Sequence, residues 1–344
     1  MLARVWVGDG TVLAVSSRAL VDACDRLGID TVALLAEVDL SRKTLDDPDG
    51  RIPAGKVGAL WRAAHAAAND PHLALHAAEA LPMGAYRAID HLARNASTIG
   101  DAFAQVSKYF PIINSTVRLP IDEQDDHRCI GAVAAGGSAE PSLPYLEYTF
   151  AAIVLRVRVA TGAAFPLVSV EFAAEAPGDT AEHERIFGCP VLFDRPRSVV
   201  RIARSVWDEP NALADAFLEE VLVAHAQSVL ETAPQGSSLV GAAGQVASKG
   251  LRLRRLSQDW VAQQLGLSRR TLQRRLEEAG VAYSQIIDAE RSAYARELLA
   301  KNELAITEVA YLLGFSDQSA FTRAFRRWTD RTPASYRRAL HSGK

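Results

Sequence analysis

Cysteine is scarce in this chain: three in 344 residues, Cys24, Cys129 and Cys189, far apart and with no Cys-x-x-Cys pair. That spacing argues against a disulfide framework or a zinc ribbon, suits a reducing compartment, and leaves each thiol as a small buried side chain. Long apolar runs are missing as well. Phe150 to Val159 comes closest to a membrane span, and Arg156 and Arg158 interrupt it, well short of the ~20 residues a bilayer needs. The N-terminus, Met-Leu-Ala-Arg-Val-Trp-Val-Gly-Asp-Gly, lacks a signal peptide's apolar core. The expectation is a cytoplasmic protein with no membrane partner.

Signals for catalysis are absent too. The eight histidines do not fall into a metal-ligand spacing. His72 and His76 share a helix face, with His65 and His91 elsewhere in the same region, and a third ligand is wanting. No glycine-rich phosphate loop and no Gly-x-Ser-x-Gly elbow is present. A DNA-repair methyltransferase would need an activated cysteine, and none of the three sits in a basic setting. These absences predict no enzyme activity, no cofactor and no metal.

What the chain does have is one pattern written twice in its last third. The first copy is Trp260-Val-Ala-Gln-Gln-Leu-Gly266-Leu-Ser268-Arg-Arg-Thr-Leu272-Gln-Arg-Arg-Leu276, and the second runs Val309-Ala-Tyr-Leu-Leu-Gly314-Phe-Ser-Asp317-Gln-Ser-Ala-Phe321-Thr-Arg-Ala-Phe325. Each has a short apolar helix, a glycine able to take positive φ, and a polar N-cap that opens a second helix. The second turn is one residue longer. With Leu272 and Leu276 inward, Arg270, Gln273, Arg274 and Glu277 face out; with Phe321 and Phe325 inward, Ser319, Thr322, Arg323 and Arg326 do, with Gln318 beside them. Arginine suits guanine O6/N7 and glutamine suits adenine N6/N7 in the major groove, while many such side chains touch only phosphate. A helix from Tyr283 to about Lys301, carrying Arg291 and Arg296, joins the two. At ~1.5 Å per residue it spans ~28 Å, which sets the reading helices near one turn of DNA apart.

Charge divides along the same line. From Ser237 onward there are 18 Lys and Arg against 10 Asp and Glu, a net of +8, while Met1 to Gly236 carries 20 against 31, a net of −11. A basic module on an acidic body fits a DNA-reading head attached to a regulatory domain. Arg252, Arg254, Arg255, Arg337 and Arg338 are candidates for phosphate contact or a solvated fringe.

The stretch from Ile306 through Trp328, closed by Thr332-Pro333 and Tyr336-Arg337, resembles the AraC/XylS family of bacterial transcription regulators. The likeness covers Ser237 to Leu340 with both repeats in order. It implies base contacts from Arg270, Gln273 and Arg274 in the first unit and from Gln318, Ser319 and Arg323 in the second. It also implies duplex DNA and RNA polymerase as partners, and activation rather than repression. One departure is Asp330, where the family places glycine. Aspartate tolerates the left-handed conformation, so a strained but intact helix end is expected.

Before the repeats, alanine-rich helices are expected from Ser16 to Tyr109. Leu20, Ala23, Cys24 and Leu27 form the inward face of the first, which ends at Gly28, and others cover Pro53–Asn69, Pro71–Ala80, Met83–Arg94 and Thr98–Phe110. Asn114–Ile121 and Arg128–Ala135 read as strands around the turn Asp122–Asp126. A long helix at Pro144–Thr161, a strand at Leu167–Ala174, a helix at Asp179–Phe187, strands at Val191–Phe193 and Val199–Ile202, and a helix at Asn211–Thr232 follow. Ala233–Ser238 is the linker. The fold expected is an α+β regulatory domain, 1–232, joined through 233–238 to an all-α DNA-binding domain, 239–344, with two helix-turn-helix motifs. Phe187-Gly-Cys-Pro-Val-Leu-Phe193 and the segment from Leu92 resemble the arabinose-binding-like domain of one AraC branch. Two roles compete for it. One is an unknown small-molecule effector held between helices and sheet, with Tyr86, Tyr109, Tyr145, Tyr148 and Phe172 as candidate lining. The other is a ligand-independent dimerisation module forming a homodimer.

Overall fold

The computed structural model describes residues 10–124, 126–135, 140–232, 239–278, 281–301 and 303–341. A short strand, β1 (Thr11–Leu13), runs directly into α1 (Ala14–Arg26); α2 (Thr31–Glu37) and α3 (Arg42–Asp46) follow. β2 (Arg51–Pro53) then pairs antiparallel with β1 and leads into α4 (Ala54–Ala67). α1 buries Leu20, Ala23 and Cys24, and Gly28 takes φ +74 just past its end. Leu27 is instead 48% exposed, because it caps the helix and the 3.6-residue period stops one position earlier.

α5 (Leu73–Glu79), α6 (Ala88–Asn95) and α7 (Ile99–Ile113) complete the helical part. α6 starts five residues later than its apolar pattern predicts. Gly84 (φ +84) and Arg87 (φ +46) lie in the expected first turn, and a right-handed helix admits neither. The expected hairpin is split in two at Pro120. Its strands are β3 (Val117–Arg118), β4 (Ile121–Glu123), β5 (His127–Gly131) and β6 (Val133–Ala134), with β3 paired to β6 and β4 to β5. Proline has no N–H to continue a ladder, and Asp122 and Glu123 lie in β4 rather than in the turn.

The long helix α8 (Leu143–Thr161) has a proline in its first turn and ends at Gly162 in the left-handed conformation. β7 (Ser169–Glu171), α9 (Ala181–Phe187), β8 (Val191–Leu192), β9 (Val199–Ala203), α10 (Arg204–Trp207) and α11 (Ala216–Thr232) follow. A five-stranded sheet has the order β4-β5-β9-β7-β8, antiparallel except for the β7–β8 pair. β7 is shorter than the alternation over 167–174 suggests, since only three residues pair with β9. α11 begins after Asn211, whose buried side chain donates to the carbonyls of Arg94 and Ala96 and closes a turn there.

The remaining chain is helical: α12 (Leu239–Arg252), α13 (Gln258–Gln264), α14 (Arg269–Glu278), α15 (Tyr283–Lys301), α16 (Ile306–Leu312), α17 (Gln318–Thr329) and α18 (Pro333–His341). The architecture is an α+β domain followed by an all-α domain with two helix-turn-helix units. The expected linker at 233–238 lies outside the described residues. One large apolar core serves α1 to α11 and the sheet. Two smaller cores serve the helical module, and α15 contributes to both, with Ile286 and Ile287 in one and Ala295, Leu298 and Leu299 in the other.

Candidate nucleic-acid interface and effector cavity

The first unit is α13, a turn, and α14. Gly266 supplies the positive φ (+66) of the turn, and the Ser268 hydroxyl accepts the Thr271 N–H at 3.1 Å, capping α14. Leu272 and Leu276 are buried, so the opposite face presents Arg270, Gln273, Arg274 and Arg275 to solvent. Gln273 donates to Glu277 at 3.0 Å, one turn along, a contact that reading a base would have to exchange. Arg269 reaches back to Gln258 and Asp259 and ties α14 to α13.

The second unit repeats the plan with stronger capping. Gly314 has φ +77, and Asp317 accepts the Ala320 N–H at 2.8 Å. That N–H and the Ser316 hydroxyl hold the Asp317 carboxyl below its ordinary range, so a full negative charge sits at the positive end of α17. Phe321 and Phe325 point inward; Gln318, Ser319, Arg323 and Arg326 are exposed and Thr322 is half-buried. Asp330 ends α17 at φ 59, ψ 3, with its N–H on the Arg326 carbonyl. Of the arginines on the connecting helix, Arg291 lies 4.9 Å over the Phe315 ring, where burial lowers its pKa. Arg252 pairs with Glu297, and Arg254 covers the Tyr311 ring, so these two also brace the module itself.

Past α17 the module touches the α+β domain. Arg331 bridges Glu175 at 3.0 Å and Asp194 at 3.1 Å, and the Tyr336 hydroxyl donates to the Arg195 carbonyl at 3.0 Å. Nearby, Glu140 accepts from the Ser198 N–H and hydroxyl, both at 2.7 Å. Burial pushes its carboxyl up, and the positive charge of Arg296 on α15 opposes that rise.

Inside the α+β domain a cavity of about 30 Å³ lies among α1, α4, α6, α7 and α8. Tyr86, Tyr145 and Tyr148 line it, beside apolar side chains such as Trp61, Ile89, Phe110 and Ile153. Two of the five expected lining aromatics are elsewhere. Tyr109 is fully buried on another face of α7, and Phe172, on the sheet side, stacks between Phe150 and Phe193 at 5.9 and 5.3 Å. The expected position between helices and sheet is corrected with them. The cavity is enclosed by helices, with Val12 of β1 as its only strand residue, because the sheet-facing space is filled by those stacked rings.

Sequence reasoning missed four polar residues of this cavity: Ser16, Asp90, Thr149 and Arg156. Asp90 and Arg156 are 4% and 7% exposed and form a bidentate pair, with Nε–Oδ1 at 2.7 Å. The signal was present in the arginine that interrupts an otherwise apolar stretch, since a buried guanidinium demands a carboxylate. The cysteines are buried and unpaired, and burial pushes Cys24 and Cys189 up to about 11. The His72 ring lies 6.4 Å from that of His76 and 5.3 Å from that of His183 on α9, but no three ligating groups converge as a metal site among the described residues. No helix among them is long and apolar enough to cross a membrane.

Comparison with known proteins bears on both regions. Residues 28–211, just over half of the chain, match the family model for the arabinose-binding N-terminal domain of AraC transcription regulator, and residues 261–339 match a helix-turn-helix domain model. The ornithine utilization regulator of Pseudomonas aeruginosa is 26% identical over 332 residues, covering 94% of this chain and 95% of that one. The regulator VirS of Mycobacterium tuberculosis is 26% identical over 321 residues, 92% and 93% of the two chains. The activator RhaS of Escherichia coli is 40% identical over 80 residues, 23% of this chain and 29% of its own. Among solved structures, the regulator CdpR of Pseudomonas aeruginosa aligns with a TM-score of 0.44 at 21% identity, over 94% of this chain and 98% of that one.

Proposed function

Since the chain belongs to the AraC family of transcription regulators, we propose that it activates transcription from direct half-sites on duplex DNA, with α14 and α17 in successive major grooves and RNA polymerase as its protein partner. It acts in the cytoplasm, without catalysis or cofactor. Residues 1–232 form the regulatory domain, 233–238 the linker and 239–344 the reading head. The observation that carries this reading is the pair of capped helices whose exposed faces bear Arg270, Gln273 and Arg274, and Gln318, Ser319, Arg323 and Arg326, on a module of net charge +8. Arg274→Ala and Arg323→Ala each weaken specific binding by about 1–3 kcal/mol and barely change binding to random DNA. Quantitative footprinting against competitor DNA checks this; an equal loss on both kinds of DNA makes these residues phosphate clamps.

The regulatory domain senses a small effector in the helical cavity. α8 supports this route, because it carries Tyr145, Tyr148 and Arg156 on the cavity and starts three residues after Glu140, which lies under the charge of Arg296 in the DNA-binding module. A ligand that shifts α8 thus acts on the domain contact, as differential binding to two arrangements requires. A second reading, ligand-independent dimerisation, draws on α11. There Phe217, Leu218 and Val221 are 77%, 41% and 52% exposed, an apolar stripe on an otherwise solvated face. Sedimentation of Phe217→Glu against the unmodified chain separates the readings. A loss of self-association together with loss of activation in the absence of any effector favours the dimer account.

A further inference from the structure

We propose that the helical cavity takes a small uncharged alcohol or phenol, apolar over most of its surface and held through its hydroxyl by Ser16, Tyr86 and Tyr148. This rests on reading the cavity as the effector site.

The cavity is lined by one cation and one anion, and they are already committed to each other. Arg156 gives Nε and Nη2 to Asp90 and Nη1 to the Pro82 carbonyl, and its guanidinium lies 4.7 Å from the Tyr86 ring centroid. Asp90 also accepts the Tyr86 N–H at 3.0 Å. A carboxylate entering here would have to displace Asp90, and an ammonium group Arg156, leaving a buried charge uncompensated. An ionised ligand therefore finds no open partner.

Hydroxyl groups of the cavity form a chain. Ser16 Oγ lies 3.0 Å from Tyr86 Oη, which lies 3.2 Å from Tyr148 Oη. Burial pushes both phenols up, so at neutral pH each keeps its proton. A hydroxyl brings one donor and two acceptor sites, so this trio holds three protons and six lone pairs. The two contacts use two of those protons, so the trio offers a ligand one donor as well as spare lone pairs. A ligand O–H engages both; a carbonyl engages only the donor. The remaining walls are apolar apart from Thr149 and Tyr145, whose hydroxyl accepts from the Asn114 side-chain amide at 2.6 Å, and free space of about 30 Å³ accommodates only a water or two. A ring-sized occupant thus enters by displacing Trp61 and Tyr145, the most exposed of the lining side chains.

Calorimetric titration of the full-length protein with cyclohexanol, cyclohexanone and cyclohexanecarboxylate, each to millimolar concentration at pH 7, tests this with shape held nearly constant. Cyclohexanol binds, the ketone binds several-fold more weakly, and the carboxylate shows no heat. Tyr148→Phe and Ser16→Ala each weaken cyclohexanol about five- to tenfold, and thermal melts by circular dichroism verify that each variant is folded, Ser16→Ala being the milder change. Carboxylate binding at least as tight as cyclohexanol, and blocked by Ala152→Phe, overturns the ligand class while keeping the cavity as effector site. Ketone binding equal to alcohol binding overturns the donor argument in the same way. Absence of binding by all three overturns both the class and the effector reading.

Discussion

Two helix-turn-helix units with the same backbone plan are held in place by different means. In the first, the buried side chains are aliphatic: Val261, Leu272 and Leu276 against Val281, Ile286 and Ile287. In the second, Phe315, Phe321, Phe325, Trp328 and Tyr336 pack ring against ring in tilted and edge-to-face pairs, with centroids 5.3 to 6.4 Å apart. The first unit is braced from within its own module, where Gly250 lets α12 approach Trp260 so closely that a Cβ would lie 2.5 Å from the indole. The second is braced from within by Arg254 over Tyr311 and Arg291 over Phe315, and in addition from outside, through Arg331 and Tyr336 on the α+β domain. Displacement of the α+β domain is therefore expected to act on α17 before α14.

The sharpest way to break this contrast is through the two cores. Phe325→Ala removes a fully buried ring that contacts Phe321, Trp328 and Tyr336, and is expected to cost about 3–5 kcal/mol. Leu272→Ala, in the aliphatic core, is expected at the lower end of the ~2–5 kcal/mol range for such truncations. Denaturant unfolding followed by fluorescence reads the two locally in single-tryptophan variants, one keeping Trp260 of the first unit and the other Trp328 of the second, with the rest of the five tryptophans replaced by phenylalanine. Equal costs would show that the aromatic cluster is a difference of composition without an energetic consequence.

How much of this was legible depended on whether the signal was local. The repeats, their glycines and caps, and the helix from Tyr283 to Lys301 follow from 3.6-residue periodicity and turn chemistry, which one short window of sequence contains. The α+β domain was read less well where tertiary contacts decide the outcome. Pro120 splits a hairpin that alternation alone makes continuous. Asn211 closes a turn by reaching carbonyls more than a hundred residues earlier. In the cavity, three tyrosines were identifiable as aromatic positions, but Tyr109 and Phe172 share their chemistry and differ only in the face they occupy. The Asp90–Arg156 pair spans 66 residues, and the partner of a lone buried arginine carries no local mark.

A second, smaller effect tests the outside brace. Tyr336→Phe deletes the hydroxyl bonded to the Arg195 carbonyl and is expected to cost about 1 kcal/mol. Arg331→Ala removes two ion pairs whose members are 28–49% exposed, worth at most about 1 kcal/mol together and less at high salt. Hydrogen exchange should then rise several-fold across α17 and α18 and stay unchanged across α14. A matching rise in α14 would mean that both units share one brace.

The smallest effect concerns the residue that ends the second reading helix. Asp330 holds φ 59, a conformation that costs an L residue roughly 1–2 kcal/mol, less for aspartate. Its exposed carboxylate also sits at the negative end of the α17 dipole. Asp330→Gly relieves both penalties and adds back roughly 0.5–1 kcal/mol of unfolded-chain entropy. The net expectation is stabilisation of about 0.5 kcal/mol, a small upward shift in the Trp328-detected midpoint. Asp330→Ala separates the causes. Alanine removes the same charge but tolerates positive φ less well than aspartate, so it is expected to destabilise by about 1 kcal/mol. If alanine stabilises as much as glycine does, the dipole rather than the backbone governs this helix end. The second unit would then close its reading helix on charge, whereas the first turns at Gly266 on backbone conformation alone. There φ is +66, and no atom lies within 4 Å of where a Cβ would stand.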